Sequence, residues 1–162
     1  MNATLRRGGL AYGLAIFVIV VDQAVKYWMI DGLGLVGGFS RDVWGPLRLT
    51  LVENQGVSFG LFQSSAPWTR WALAAFSLAV AIGLGVWARR AEKPLTELAV
   101  GLIIGGALGN FIDRVLRGSV VDFVDVQSLH FPWIFNVADS AITVGIALLM
   151  VESLMSSPKP QP

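Results

Sequence analysis

The sequence predicts an all-α membrane protein, a bundle of four transmembrane helices with a shorter stretch of strand character between the first two spans. Three observations carry that reading. The 162 residues are 54% hydrophobic and only 14% charged, with a mean hydropathy of +0.64, more apolar than a soluble domain of this size. Four stretches, about residues 8–30, 68–87, 95–114 and 135–155, reach the roughly 20 apolar residues that a helix needs to cross a hydrocarbon core of about 30 Å. Breakers separate them: Gly32, Gly34, Gly37 and Gly38 after the first, Arg89-Arg90-Ala91-Glu92-Lys93-Pro94 after the second, and Pro132 before the fourth. Residues 1–162 read as one integral membrane domain, with 31–67 as the long connection.

Composition also excludes several classes. Twelve Lys and Arg stand against eleven Asp and Glu, a net charge of +1, which leaves no basic surplus for a phosphate backbone, so nucleic acid is not an expected partner. The chain has no Cys, and with it no disulfide, thiolate metal site or Cys nucleophile. The single His130 cannot build a zinc site alone, and no metal or cofactor is expected. Arg6 and Arg7 before an apolar run imitate a signal peptide. The run is too long for one, contains Asp22, Gln23 and Lys26, and lacks a small-x-small cleavage site, so it reads as a retained first span.

Orientation follows from basic residues in short loops. Arg6, Arg7, Arg89, Arg90, Lys93 and Lys159 fall on one side of a four-span chain; Arg41, Arg48 and Arg117 fall on the other, with Arg70 and Arg114 near span ends. Both termini are therefore expected in the cytoplasm and residues 31–67 on the exported side. Trp28, Trp68, Trp71, Trp87 and Trp133 sit near span ends or in the adjoining loops, where aromatic anchors collect.

In the exported segment Leu47, Leu49 and Leu51 alternate with Arg48, Thr50 and Val52, a period of two that predicts a strand with one apolar face. Asn54-Gln55-Gly56 supplies a turn, and residues 57–62 offer a return strand. A mere connector could have this length, but the aromatic content favours an element facing a substrate. In the third span Gly101, Gly105 and Gly109 recur every four residues, the spacing that lets helix backbones approach closely in a bilayer. The third helix is expected at the centre.

Ionisable groups inside spans cost a few kcal/mol each, and here they gather at one end. Asp22 and Lys26 lie near the exported end of span one, Asn110, Asp113 and Arg114 at that end of span three, and Asn136, Asp139 and Ser140 at the start of span four. Asp22 and Lys26 stand four apart on one helix face, as either an interfacial ion pair or a functional one. Asn110 with Asp113, and Asn136 with Asp139, each place an amide three residues before a carboxylate, a pattern suited to a hydrogen-bonded network. The short loop 117–125 is held close to the bundle by its β-branched and aromatic residues. It carries Asp122 and Asp125, and spacing alone does not choose between them.

Taken together, Gly109-Asn110-Phe111-Ile112-Asp113-Arg114, then Gly118, Val120-Val121-Asp122-Phe123, then Phe135-Asn136-Val137-Ala138-Asp139-Ser140 resemble the signature of the type II, lipoprotein-processing signal peptidases. The likeness extends to Asp22, Lys26, Asn54 and Gly56, and spans nearly the whole chain. Any single piece would be weak; the combination is specific. The resemblance implies a four-helix bundle with a small exported β-sheet cradle in a bacterial inner membrane, and cleavage of prolipoproteins just before a lipid-modified Cys. It implies Asp122 and Asp139 as the catalytic pair, which sets Asp125 aside. Asn110, Asp113, Arg114, Asn136 and Ala138 take surrounding motif positions, and Asn54 lies near substrate. The expected partners are lipid-modified prolipoproteins and membrane lipids, with the chain acting as a monomer.

Two close carboxylates suit this chemistry, since they share one proton and can act as general base and general acid together. Two other classes compete. A proton-coupled transporter also carries acids within spans, but the cytoplasmic half here is apolar apart from span ends. A structural factor would use the glycine ridge without needing two acid-amide motifs in one layer.

Overall fold

The computed structural model describes residues 8–35, 37–38, 40–56, 67–129, 131 and 133–155. Arg6, Arg7, His130, Pro132, Lys159 and the expected return strand at 57–62 lie outside the described residues. Four helices are long and apolar enough to cross a membrane: α1 (Gly9–Tyr27, continued by a π-helical turn Trp28–Gly32), α2 (Pro67–Ala88), α3 (Pro94–Leu116) and α4 (Val137–Met155). Pro94 opens α3, where its missing N–H costs nothing. That helix ends at Leu116, where the Asp113 carbonyl accepts from both Arg117 N (2.7 Å) and Gly118 N (3.2 Å); Gly118 turns the chain away at φ +92°.

The third helix lies at the centre, packed by the other three. Its small residues form the contact. A Cβ placed on Gly101 would stand 2.6 Å from the Ala11 carbonyl oxygen, one on Gly105 2.6 Å from Val18 Cβ, and one on Gly109 2.8 Å from the Asp22 carboxylate. The ridge read from the sequence is thus the seat of α1, while Gly106 meets the Ala138 carbonyl on α4. Lipid is as apolar as the helices, so such close packing supplies the attraction that hydrophobicity cannot. Ala11, Ala15, Ala81, Ala88, Val100, Ile104 and Ala107 form the buried apolar centre.

At the end of the bundle where α1 and α3 finish and α4 begins sits a four-stranded antiparallel sheet in the order β1-β2-β3-β4: β1 (Ser40–Trp44), β2 (Leu47–Asn54), β3 (Val120–Asp125) and β4 (Ile134–Phe135). The expected strand at Leu47–Val52 is β2, and its Leu51 packs with Met29, Leu35, Val121 and Phe123 in a second apolar cluster. An all-α class is too simple. The loop expected at 117–125 is largely strand β3, because Val120, Val121, Phe123 and Val124 suit a pleated surface and β2 offers an edge. The hairpin partner of β2 within the described residues is β1, through a turn at Gly45 (φ +54°). Phe135 belongs to β4 rather than to a span, so α4 begins two residues later, at Val137.

Candidate active site

Asp122 lies on β3 and Asp139 in the first turn of α4, and an unbroken chain of amides joins their carboxylates. Asn136 Nδ2 donates to Asp122 Oδ1 (2.7 Å) and to Asn110 Oδ1 (3.2 Å); Asn110 Nδ2 donates to Asp139 Oδ1 (2.8 Å). On the other side of Asp122, Asn54 Nδ2 reaches Oδ2 at 2.9 Å. Strand geometry explains that reach. Asp122 pairs with Val52, so Asn54, two residues further on, projects from the same face one diagonal away. Asp139 Oδ2 is buried and accepts no hydrogen bond from the described residues.

Asn136 does a second job. Read as part of the fourth span, it instead precedes α4 and caps it: its Oδ1 accepts from Asp139 N at 2.8 Å, the bond that makes Asn a preferred N-cap. The residue that fixes Asp122 therefore also fixes the backbone of Asp139. Asp122 is 2% exposed. Burial, reinforced by the nearby charge of Asp139, pushes its carboxyl up from the ordinary 3.8 to about 7, against the opposing pull of the Asn54 and Asn136 hydrogen bonds.

Behind this pair lies a buried charge cluster. The pairing of Asp22 with Lys26 is not an interfacial one, for both side chains are fully buried. Lys26 Nζ stands 2.8 Å from Asp22 Oδ2 and 2.6 Å from Asp113 Oδ2. Each acid then turns its remaining capacity on a backbone N–H. Asp22 Oδ1 accepts from Ala138 N (2.9 Å) and Asp113 Oδ2 from Val121 N (3.2 Å). Val121 and Ala138 are the residues immediately before Asp122 and Asp139. Ala138, itself 0% exposed, serves through that N–H and through the smallness that lets α4 sit against Gly106 and Gly109.

Two members of the cluster were not singled out from sequence. Gln23 Nε2 donates to Asp113 Oδ1 (3.0 Å), and Arg117 Nη1 donates to the same oxygen (2.6 Å) and to Gln23 Oε1 (3.2 Å). The signals were present, a Gln beside Asp22 inside a span and an Arg four residues after Asp113. Arg114 hydrogen-bonds to backbone carbonyls among the described residues. Its guanidinium donates to the Gly56 carbonyl (3.0 Å) and, at 3.5 Å, to that of Asn110, rather than to a carboxylate. Gly56 N in turn donates to Asn54 Oδ1 (2.9 Å), so Arg114 steadies the turn that presents Asn54 to Asp122. Asp125 is occupied by Thr50 Oγ1 (2.7 Å) and Gln127 N (2.9 Å) within the sheet.

A cavity of about 360 Å³ opens beside the pair, lined by Trp133, Ile134, Phe135, Asp139, Ser140, Thr143 and Val144. Residues 14–155 match the family model described as "Signal peptidase (SPase) II". The chain belongs to the signal peptidase II family. Among its relatives is the lipoprotein signal peptidase of Caulobacter vibrioides, 51% identical over 152 residues that span 93% of this chain and 90% of the relative. The lipoprotein signal peptidase of Methylorubrum extorquens is 45% identical over 163 residues, 96% of this chain and 91% of the relative. A solved structure described as "Bacterial membrane enzyme structure by the in meso method at 2.3 A resolution" matches with a TM-score of 0.81 at 31% identity, covering 95% of this chain and 94% of that one. A second, solved at 1.9 Å, matches at 0.77 and 32% identity over 92% and 95% of the two chains. For a signal peptidase II, an aspartic peptidase of the membrane, the amide-linked carboxylates are the candidate acids that the fold presents.

Arg114→Lys is expected to lower turnover at least about tenfold while leaving expression intact. An ammonium keeps the charge but cannot span two carbonyls as the guanidinium fork does. Wild-type turnover in that variant, measured on purified protein, would reduce Arg114 to a passive interfacial cation.

Proposed function

We propose that the chain is an intramembrane aspartyl endopeptidase that removes signal peptides from diacylglyceryl-modified prolipoproteins by cleaving before the lipidated Cys, with Asp122 and Asp139 as its catalytic residues. The observation that carries this is the amide bridge from Asp122 through Asn136 and Asn110 to Asp139, which leaves Asp139 Oδ2 buried and without a hydrogen-bond donor among the described residues. Two carboxylates held this way share one proton. Asp122, raised to about 7, retains it near neutral pH and donates to the scissile carbonyl. The partner carboxylate, Asp139, draws a proton from an attacking water through Oδ2. As the tetrahedral intermediate collapses, the proton passes to the leaving amine. The apolar cavity beside Asp139 suits the residues around the scissile bond, while the diacylglyceryl group stays in lipid and the signal helix packs on the bundle.

The relatives' names support the substrate class, and the chain acts on it as a monomer in the bacterial inner membrane. The sheet then forms an exported cradle, and the site lies near the exported face, where water reaches it. Trp28, Trp68 and Trp71, all more than half exposed, ring that end as interfacial anchors. Arg89, Arg90 and Lys93 mark the opposite, cytoplasmic end together with both termini. A reporter fused after Pro162 should be active only on the cytoplasmic side; activity on the exported side alone would invert the whole placement.

Asp139→Asn tests the chemistry cleanly. An Asn there gives its carbonyl to Asn110 Nδ2 and puts its amide where Oδ2 accepts nothing, so thermal stability should hold. Cleavage of a diacylglyceryl-modified prolipoprotein should fall by roughly 10²–10⁴-fold, and the precursor lacking the lipid should resist even the wild-type protein. Wild-type activity should decline as pH rises through about 7 and Asp122 loses its proton. Stability should shift with the same sign. Between the unfolded value of 3.8 and the folded value of about 7 the folded state binds the extra proton, so Asp122 makes the fold less stable as pH rises through that window. Asp125→Asn should keep most activity. Near wild-type cleavage by Asp139→Asn, or a folded but inactive Asp125→Asn, would show the wrong carboxylates to be assigned.

A further inference from the structure

A second cavity, of about 440 Å³, lies on the reverse of the sheet from the carboxylate pair. Alternation along the strands places it there. On β3 Asp122 faces the site while its neighbour Val121 lines the cavity; on β2 Asn54 faces the site while Leu51 and Glu53 line the cavity. Ile30, Leu35, Leu51 and Val121 give it an apolar wall, and its charged groups are one cation, Arg117, and one anion, Glu53. Neither is spent. Arg117 engages Asp113 and Gln23 through Nη1 alone among the described residues, and its side chain is 30% exposed. Glu53 is exposed and receives one long bond, from Ser119 Oγ at 3.4 Å.

The diacylglyceryl group of the proposed substrate is neutral and does not account for these charges. The level in the membrane does. Ile30 lies two residues beyond Trp28, which with Tyr27 is exposed (54% and 64%) at the end of α1, the position of an interfacial belt where phospholipid headgroups lie. We propose that this cavity binds the headgroup of a zwitterionic phospholipid carrying a primary ammonium, a phosphatidylethanolamine. Its phosphate would meet the free N–H groups of Arg117, its ammonium would donate to Glu53, and its glycerol and first acyl carbons would cover Ile30 and Leu35. The occupant packs on Val121, next to Asp122, so the bilayer's own lipid becomes part of the wall behind the site.

The full-length protein, purified in detergent, stripped of lipid and mixed with equimolar phosphatidylethanolamine, phosphatidylcholine and phosphatidylglycerol, provides the test, with retained lipid read by native mass spectrometry. Phosphatidylethanolamine should be retained about tenfold over phosphatidylcholine, whose quaternary ammonium has no N–H for Glu53, and over phosphatidylglycerol, which has no cation. Glu53→Gln, on an exposed side chain that leaves the buried cluster untouched, should erase that preference. Arg117→Gln should reduce retention of all three. Soluble phosphoethanolamine at equimolar concentration should leave the lipid in place. Equal retention of the three lipids by the wild-type protein, a preference that Glu53→Gln does not change, or displacement by phosphoethanolamine would each overturn the assignment.

Discussion

One fully buried ammonium organises this end of the molecule. Lys26 neutralises Asp22 and Asp113 at 2.8 and 2.6 Å, and without it Asp22 would stand unpaired inside a helix bundle, where a lone charge costs several kcal/mol, and Asp113 would keep only Arg117. The pairing does more than cancel charge. It fixes two carboxylates whose other hydrogen bonds hold the N–H groups of Val121 and Ala138, and those residues precede Asp122 and Asp139. Strand β3 and helix α4, which share no covalent neighbourhood, are thus indexed to the same Nζ atom. Arg117 adds the second cation that the cluster needs, so two acids face two bases.

The layer of Asp122 and Asp139 is built on that frame by amides, which orient carboxylates without taking their protons. Asn110 and Asn136 tie the two carboxylates together, and Asn54, steadied by Arg114 through Gly56, closes the far side of Asp122. Had cations stood in these places, both acids would remain ionised at neutral pH and neither could donate. Amides only partly offset the burial of Asp122, which is why its carboxyl stays near 7.

The spans were legible in the sequence because the bilayer imposes a length, and the polar layer was legible because four crossings bring the ends of three spans together. The glycine ridge was legible because close packing demands small residues every four positions. Strand β3 was not. Its partner β2 lies about seventy residues earlier, with Val52 opposite Asp122, and no local pattern in Val120–Asp125 announces a pairing across two spans. The same blindness left Asp122 and Asp125 unresolved by spacing, until the family resemblance chose between them. The sheet separates the two, since Asp125 is consumed by Thr50 and Gln127 while Asp122 is turned toward the bridge. The cap formed by Asn136 was hidden too, because a break at residue 135 and one at 137 look alike in an apolar run.

The claim on which the account rests is that Asp122 and Asp139 hold one proton between them. Isotope-edited infrared spectroscopy on protein with carboxyl-labelled Asp reads it directly, through the carbonyl stretch of a protonated acid. The account predicts a band that titrates with a midpoint of about 7 in the wild-type protein, disappears in Asp122→Asn, and shifts to a lower midpoint in Asp139→Asn, where the neighbouring charge is gone. A band absent at pH 6, or a midpoint that Asp139→Asn leaves unmoved, would contradict it.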